Sequence, residues 1–164
     1  MIDVLPANAL TDFERISKLA HTIWHEHYIK IISLEQIEYM LDKYNSVKSI
    51  QERALEGYLF FYMTYNDIAV GYLAIEKQTD AIYISKLYVL KEYRGLKIAK
   101  TALLYAVSMA LEEGLSCVKL HVNKYNTNAI LAYEKMGFVN TESVITDIGK
   151  GFVMDDYLMV KPIK

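Results

Sequence analysis

One cysteine in 164 residues excludes an intramolecular disulfide, and with it the disulfide-stapled secreted domains. Cys117 lies inside a strand-like run, residues 116–122, and reads as a buried core thiol rather than a nucleophile; a reducing cytoplasm is the setting that suits it. Long apolar runs are missing too. The longest, residues 99–111, is interrupted by Lys100, Thr101 and Ser108 and falls short of a bilayer span, so no membrane partner is expected. Met1-Ile2-Asp3-Val4-Leu5-Pro6 places no basic segment before an apolar one and reads as no secretory leader. Charge of one sign is also absent: 18 Lys and Arg face 20 Asp and Glu, interspersed, for a net charge of −2, which argues against nucleic acid as a partner. Neither a linker nor a repeat interrupts the chain. What remains is 53% hydrophobic residues, enough for one core in a single domain spanning 1–164.

Hydrophobic periodicity sets the order of elements. Residues 2–5 form a short strand closed by Pro6. Thr11-Asp12-Phe13-Glu14 fits a capping box, predicting a helix from Asp12 whose buried face carries Phe13, Ile16, Ala20, Ile23, Trp24 and His27. Ser33-Leu34-Glu35-Gln36 repeats the pattern and opens a helix to about Lys43, and residues 46–56 read as a third, stopped by Gly57. The period then changes to two. Residues 58–65, 68–76 and 81–90 are strands in antiparallel sequence, the first pair joined by the turn signal Asn66-Asp67. A helix over 97–113 carries the small residues Ala99, Ala102, Ala106 and Ala110 and ends at Gly114. The strand at 116–123 follows a helical crossover and should run parallel to the strand ending at Leu90. A short helix at 128–136 and strands at 138–146 and 152–161, joined by a loop over 147–151, complete the chain. The fold class is α/β (α+β): a mixed sheet in the order β-α-α-α-β-β-β-α-β-α-β-β.

The strand, turn and helix over residues 83–100 should leave a row of backbone N–H groups at the helix start, a natural anion site. Arg94-Gly95-Leu96-Lys97-Ile98-Ala99 fits the pattern Q/R-x-x-G-x-G/A at Arg94 and Ala99, after the strand end Leu87-Tyr88-Val89. Further on, Asn126-Thr127-Asn128-Ala129-Ile130-Leu131-Ala132-Tyr133-Glu134-Lys135-Met136-Gly137-Phe138 fits N-x-x-A-x-x-x-Y-x-x-x-G-F at every fixed position. With their spacing and the element order, these two words resemble the GNAT superfamily of acetyl-CoA-dependent N-acetyltransferases. Lys97 stands where that family usually has glycine. Either it takes an ordinary helical φ with its side chain turned outward, or the phosphate sits differently; its ammonium is as readily solvated as phosphate-bound.

The resemblance implies a mostly antiparallel sheet of six to seven strands flanked by helices, with acetyl-CoA as acetyl donor and no metal. It places the pantetheine arm along Leu87, Tyr88 and Val89, with a main-chain N–H near Val89 or Leu90 on the thioester oxygen. The pyrophosphate falls to Arg94, Gly95, Leu96, Lys97, Ile98, Ala99 and Lys100, and Tyr133 protonates the departing thiolate. Asn123 and Asn126 stand as candidates for the pantetheine amides, a role that competes with capping and turn formation. The base stays open between Glu92 and a water relay from Tyr83 or Ser85. His21 and His25, four apart, lack a third ligand at metal spacing, so Trp24, His25, Glu26 and Tyr28 read instead as walls of an acceptor pocket. Trp24-His25-Glu26-His27-Tyr28 and Gln36-Ile37-Glu38-Tyr39-Met40-Leu41 are similar to bacterial members grouped with spermidine/spermine acetyltransferases. That points to a small primary amine, a polyamine among them, for which Glu26, Glu35, Glu38 and Asp155 offer carboxylates. A protein N-terminus or lysine as acceptor, and a non-catalytic acyl-CoA-binding module, are the alternatives. Strands over 152–160 could support a homodimer.

Overall fold

The computed structural model describes residues 1–163. The elements run β1 (Ile2–Pro6), α1 (Leu10–Tyr28), α2 (Leu34–Tyr44), α3 (Val47–Leu55), β2 (Leu59–Tyr65), β3 (Ile68–Lys77), β4 (Ala81–Val89), a 3-10 turn (Lys91–Tyr93), α4 (Ile98–Glu112), β5 (Cys117–Asn123), α5 (Thr127–Lys135), β6 (Val139–Gly149) and β7 (Phe152–Pro162). Neighbouring strands are hydrogen-bonded in the order β1-β2-β3-β4-β5-β7-β6. The mixed, mostly antiparallel sheet and the element order are as expected. The chain divides into two compact units, Met1–Glu76 with Ser85–Tyr105 and Lys77–Ile84 with Ala106–Lys164; β4 and α4 each contribute to both.

In the first unit β1 and β3 flank β2, antiparallel to it on either side. Asn66 and Asp67 take φ of 49° and 69°, the paired positive values of a two-residue hairpin turn between Tyr65 and Ile68. Phe60 meets Phe13 of α1 edge to face, while Phe61, next in sequence and so on the opposite face, meets Tyr105 of α4. Helices therefore cover both faces. Ser33 and Ser46 cap α2 and α3 by accepting from the N–H of Gln36 and Ser49, at 3.1 and 3.2 Å. The start of α1 is a correction. Thr11 does not cap it; the helix begins at Leu10, and the Asp12 carboxylate reaches back to the N–H groups of Asn8 and Ala9, each at 3.1 Å. Those bonds, from Ala9 above all, hold the Asp12 carboxyl below its ordinary value.

In the second unit the start of β4 pairs parallel with β5, Ala81 opposite Cys117 through Ile84 opposite Leu120. Strand β7 lies antiparallel between β5 and β6. Ala106 and Ala110 of α4 are fully buried, and Gly114 ends the helix at φ 68°. Two expectations change here. Cys117 is only half-buried, because the alternate residues Val118, Leu120 and Val122 take the core side of β5. The loop expected over 147–151 contracts to a Lys150-Gly151 turn, both at positive φ, with Gly149 opposite Phe152. Asp147 Oδ1 accepts from the Gly149 N–H at 2.8 Å and steers that turn.

Candidate functional site

In the first unit the strand end and the turn after it are fixed from several sides. Gly71 of β3 lies so close to β4 that a Cβ there would press onto the Tyr88 carbonyl and come within 3.3 Å of Val89 Cα. The Leu90 N–H donates to Val70 O at 2.8 Å. Glu26 of α1 then accepts from the Lys91 N–H at 2.9 Å, and Arg94 Nε reaches back to Val89 O at 3.3 Å. Gly95 and Lys97 both take positive φ, 81° and 68°. Lys97 thus does not take the ordinary helical φ expected as one alternative: lysine occupies the left-handed conformation for which glycine is the unstrained residue. Its carbonyl accepts from the Thr101 N–H at 3.0 Å and from Thr101 Oγ1 at 2.8 Å, so helix α4 starts on it. The first-turn amides of α4, among them those of Ile98, Ala99 and Lys100, have no partners inside the helix and lie at the positive end of its dipole, a setting that favours an anion. Leu96 is exposed beside them, 40% of its surface open. Glu92 is also exposed.

Beside the strand end stands an aromatic group. Trp24 and Tyr28 stack 4.4 Å apart, and Tyr88 lies 5.5 Å from Trp24 and 5.4 Å from Tyr72 between ring centroids. Trp24 is a core residue, 5% exposed, and its indole N–H donates to the Tyr72 hydroxyl at 3.1 Å. Tyr72 in turn donates to Asn45 Oδ1 at 3.3 Å, while burial pushes its own ionisation far above the ordinary phenol range. Lys86 Nζ donates to the same Asn45 oxygen at 3.1 Å and to the Tyr44 carbonyl at 2.7 Å. Burial, with the charge of Arg53 second, brings the Lys86 amine down to about 7. Tyr28 donates to the Tyr88 hydroxyl at 3.3 Å.

The histidines of α1 are already engaged. His25 lies 2.7 Å from the His21 carbonyl through Nδ1 and 2.8 Å from Glu38 through Nε2, and those two bonds raise its ionisation. Burial lowers that of His27, with the charge of Arg94 adding to it. Among the described residues no three His, Cys, Asp or Glu side chains gather as a metal would require. Of the four carboxylates suggested for a cationic acceptor, Glu26 holds Lys91, Glu38 holds His25 and Asp155 pairs with Lys124 at 2.7 Å; Glu35 is exposed at the start of α2.

In the second unit Asn123 uses its Oδ1 to accept from the Tyr125 N–H at 2.9 Å, the turn role weighed for it. Asn126 starts α5 through its main chain, its carbonyl accepting from Ile130 at 3.1 Å, without a side-chain cap. Tyr133 is half-buried on α5, its ring 5.8 Å from that of Phe138. Two residues that sequence reasoning passed over stand out. Asp156 of β7 is 5% exposed with its Oδ1 lacking a hydrogen-bond partner, and burial, helped by Asp155, raises its carboxyl to about 6. His121 of β5 lies 2.6 Å through Nδ1 from the Tyr83 hydroxyl. The only local signal for either was alternation: His121 shares its strand face with Asn123, and Asp156 pairs opposite Asn123.

Comparison with known proteins gives three kinds of likeness. Residues 17–138 match the model of the acetyltransferase (GNAT) family. The spermidine N(1)-acetyltransferase of Thermoplasma acidophilum is 27% identical over 152 residues, covering 90% of this chain and 92% of that protein. Among solved structures, the PaiA N-acetyltransferase of Thermoplasma acidophilum, in complex with coenzyme A, superposes with a TM-score of 0.84 at 23% identity, covering 99% of each chain. The ribosomal-protein-S18-alanine N-acetyltransferase of Escherichia coli gives 0.71 at 19% identity, covering 100% of this chain and 95% of that one.

Proposed function

Since the chain belongs to the GNAT family of acetyltransferases, and so is an acyltransferase with acetyl-CoA as donor, we propose that it acetylates a primary amine of a small molecule, a polyamine being the leading class, by direct transfer in a ternary complex. The observation that carries the reading is the turn over 94–100. A chain that holds Lys97 at φ 68° keeps a strained backbone where an ordinary helix start would relieve it, as befits amides pre-set for a pyrophosphate. The donor supplies the activated acyl group; the residues bind and orient it. Leu87, Tyr88 and Val89 offer strand-edge groups to the pantetheine amides, with Asn123 and Asn126 as further partners. A fixed N–H near Val89 or Leu90 meets the charge developing on the thioester oxygen, worth ~3 kcal/mol of barrier. Tyr133 protonates sulfur as the C–S bond breaks. A half-buried single cysteine suits a cytoplasmic setting, and the strand over 152–160 is the proposed surface for a homodimer.

The test is free-thiol release from acetyl-CoA across a panel of polyamines, simple amines and peptides with free N-termini. Turnover on polyamines above the peptides is the expected result. Preference for peptides would replace the acceptor, and cofactor binding without turnover on any amine would remove the activity. Tyr133→Phe should lower kcat by about 10²-fold or more with the acetyl-CoA-induced rise in Tm intact; full activity would exclude Tyr133 as the acid.

A further inference from the structure

We propose that His121, working through the phenol of Tyr83, takes the proton that the acceptor ammonium must lose before it attacks. The inference rests on the acetyl-transfer reading above. Tyr83 of β4 and His121 of β5 lie on adjacent parallel strands, with Tyr83 opposite Lys119 and His121 two residues further on the same face. Their rings meet edge to face with centroids 5.5 Å apart, and the oxygen and Nδ1 are 2.6 Å apart, a short bond between groups fit for proton transfer. His121 is exposed, so this is a dyad open to a ligand and to water rather than a satisfied core pair.

The surroundings agree. On that face β5 itself contributes Lys119 and Asn123, β4 contributes Tyr83, β7 contributes Leu158 opposite His121 and Asp156 opposite Asn123, and β6 contributes Glu142 opposite Leu158. Partial burial holds the imidazole below its ordinary value, and Glu142 opposes that shift. The ring is therefore neutral, and able to accept, at neutral pH. Asp156 presents a buried carboxylate oxygen with no hydrogen-bond partner, which an ammonium group would satisfy. The other sequence candidates are less suited: the Ser85 hydroxyl donates to Ala74 O at 3.3 Å, and Glu92 is a solvated acid on the 3-10 turn.

The proton balance is simple. Tyr83 donates to Nδ1, leaving His121 protonated at Nε2. As one N–H bond of the ammonium breaks, its proton passes to Tyr83 Oη and the phenolic proton moves to Nδ1. The products are a neutral amine and an imidazolium. The amine lone pair forms the C–N bond and the C–S electrons leave on sulfur, which takes the Tyr133 proton; the acetylated nitrogen sheds its second proton through water, which restores the Tyr133 phenol, and the imidazolium gives up one proton to water and returns to its Nε2–H form.

The experiment is the pH dependence of kcat on a diamine for the wild type, His121→Ala and Tyr83→Phe, alongside the acetyl-CoA-induced shift in Tm. His121→Ala should lose about 10²-fold in kcat near neutrality while keeping the Tm shift, and its rate should climb toward the wild type at high pH, where the amine sheds its own proton. The acid limb of the wild-type profile should lie below the ordinary imidazole value and vanish in the variant. Tyr83→Phe, which cuts the path from the ammonium to Nδ1, should show a comparable loss near neutrality with the same climb at high pH. An active wild type whose profile and rate survive in His121→Ala overturns this inference alone. A uniform loss in His121→Ala at every pH also overturns it, since that marks a structural role. A wild type inactive on all amines overturns the acetyl-transfer reading and this inference with it.

Discussion

Replacing Lys97 by glycine should make the protein more stable although it removes a side chain from a helix start. A residue with a Cβ held at φ 68° gives up ~1–2 kcal/mol relative to ordinary backbone. Glycine removes that strain but returns ~0.5–1 kcal/mol through the greater freedom of its unfolded chain. The balance is a gain of about 0.75 kcal/mol, the middle of a span of roughly 0–1.5. For a chain of this length each kcal/mol moves Tm by ~2–4 °C, so Lys97→Gly should melt roughly 1–4 °C higher. Lys97→Ala isolates the backbone term: it loses the same ammonium as the glycine variant but keeps the strained φ, so the difference between the two variants is free of any charge effect. Thermal unfolding followed by circular dichroism at two ionic strengths measures it, salt weakening only the electrostatic part. If the alanine variant melts as high as the glycine variant at both salt concentrations, the left-handed turn at Lys97 is not a strained one and the reasoning fails.

The remaining predictions concern packing and titration. Gly71→Ala should lower Tm by about 2–12 °C and raise KM for acetyl-CoA, since the added methyl displaces the Tyr88 carbonyl at a penalty of ~1–3 kcal/mol; an unchanged melt would show that β3 can yield there. Lys86, at about 7 when folded and 10.5 as its ordinary value, makes the unfolded chain bind more protons between those limits, so wild-type stability should rise with pH across that window; Lys86→Met should flatten the rise in denaturant titrations. Asp156 works in the opposite sense. Its folded carboxyl at about 6 against 3.8 means that the native state binds the extra proton between those values, so stability falls as pH climbs through them; Asp156→Asn should match the wild type below about pH 4 and exceed it above about pH 6.

Local chemistry was legible in the sequence. Asn66-Asp67 demanded a tight turn, Ser33 carries its own cap, and the Arg94 and Tyr133 words marked two stretches before any strand was paired. The errors at Thr11 and Cys117 share a cause: several residues in each segment offered the same local chemistry, and only tertiary packing chose among them. Asp12 capped α1 from the third helical position, and alternation along β5 turned Cys117 away from the core. Other features were invisible because they join distant residues. Glu26 meets Lys91 across 65 positions, and Lys86 meets Asn45 across 41. His121 carried no motif, and its partner Tyr83 lies 38 residues earlier. Positive φ at Lys97 was hidden for another reason: lysine seldom adopts it, so the residue type pointed the wrong way.

Trp24 is the chain's single tryptophan. It is buried against Tyr28 and close to Tyr88, whose main chain is proposed to receive the pantetheine arm. The molecule therefore carries one indole fluorophore, shielded from water and set beside the strand that a cofactor would stiffen. Its emission belongs to a single environment, so a change on adding coenzyme A reports on that strand end without a label, and the neighbouring tyrosines can pass their excitation to it. The packing that orders the core also makes the protein its own binding gauge.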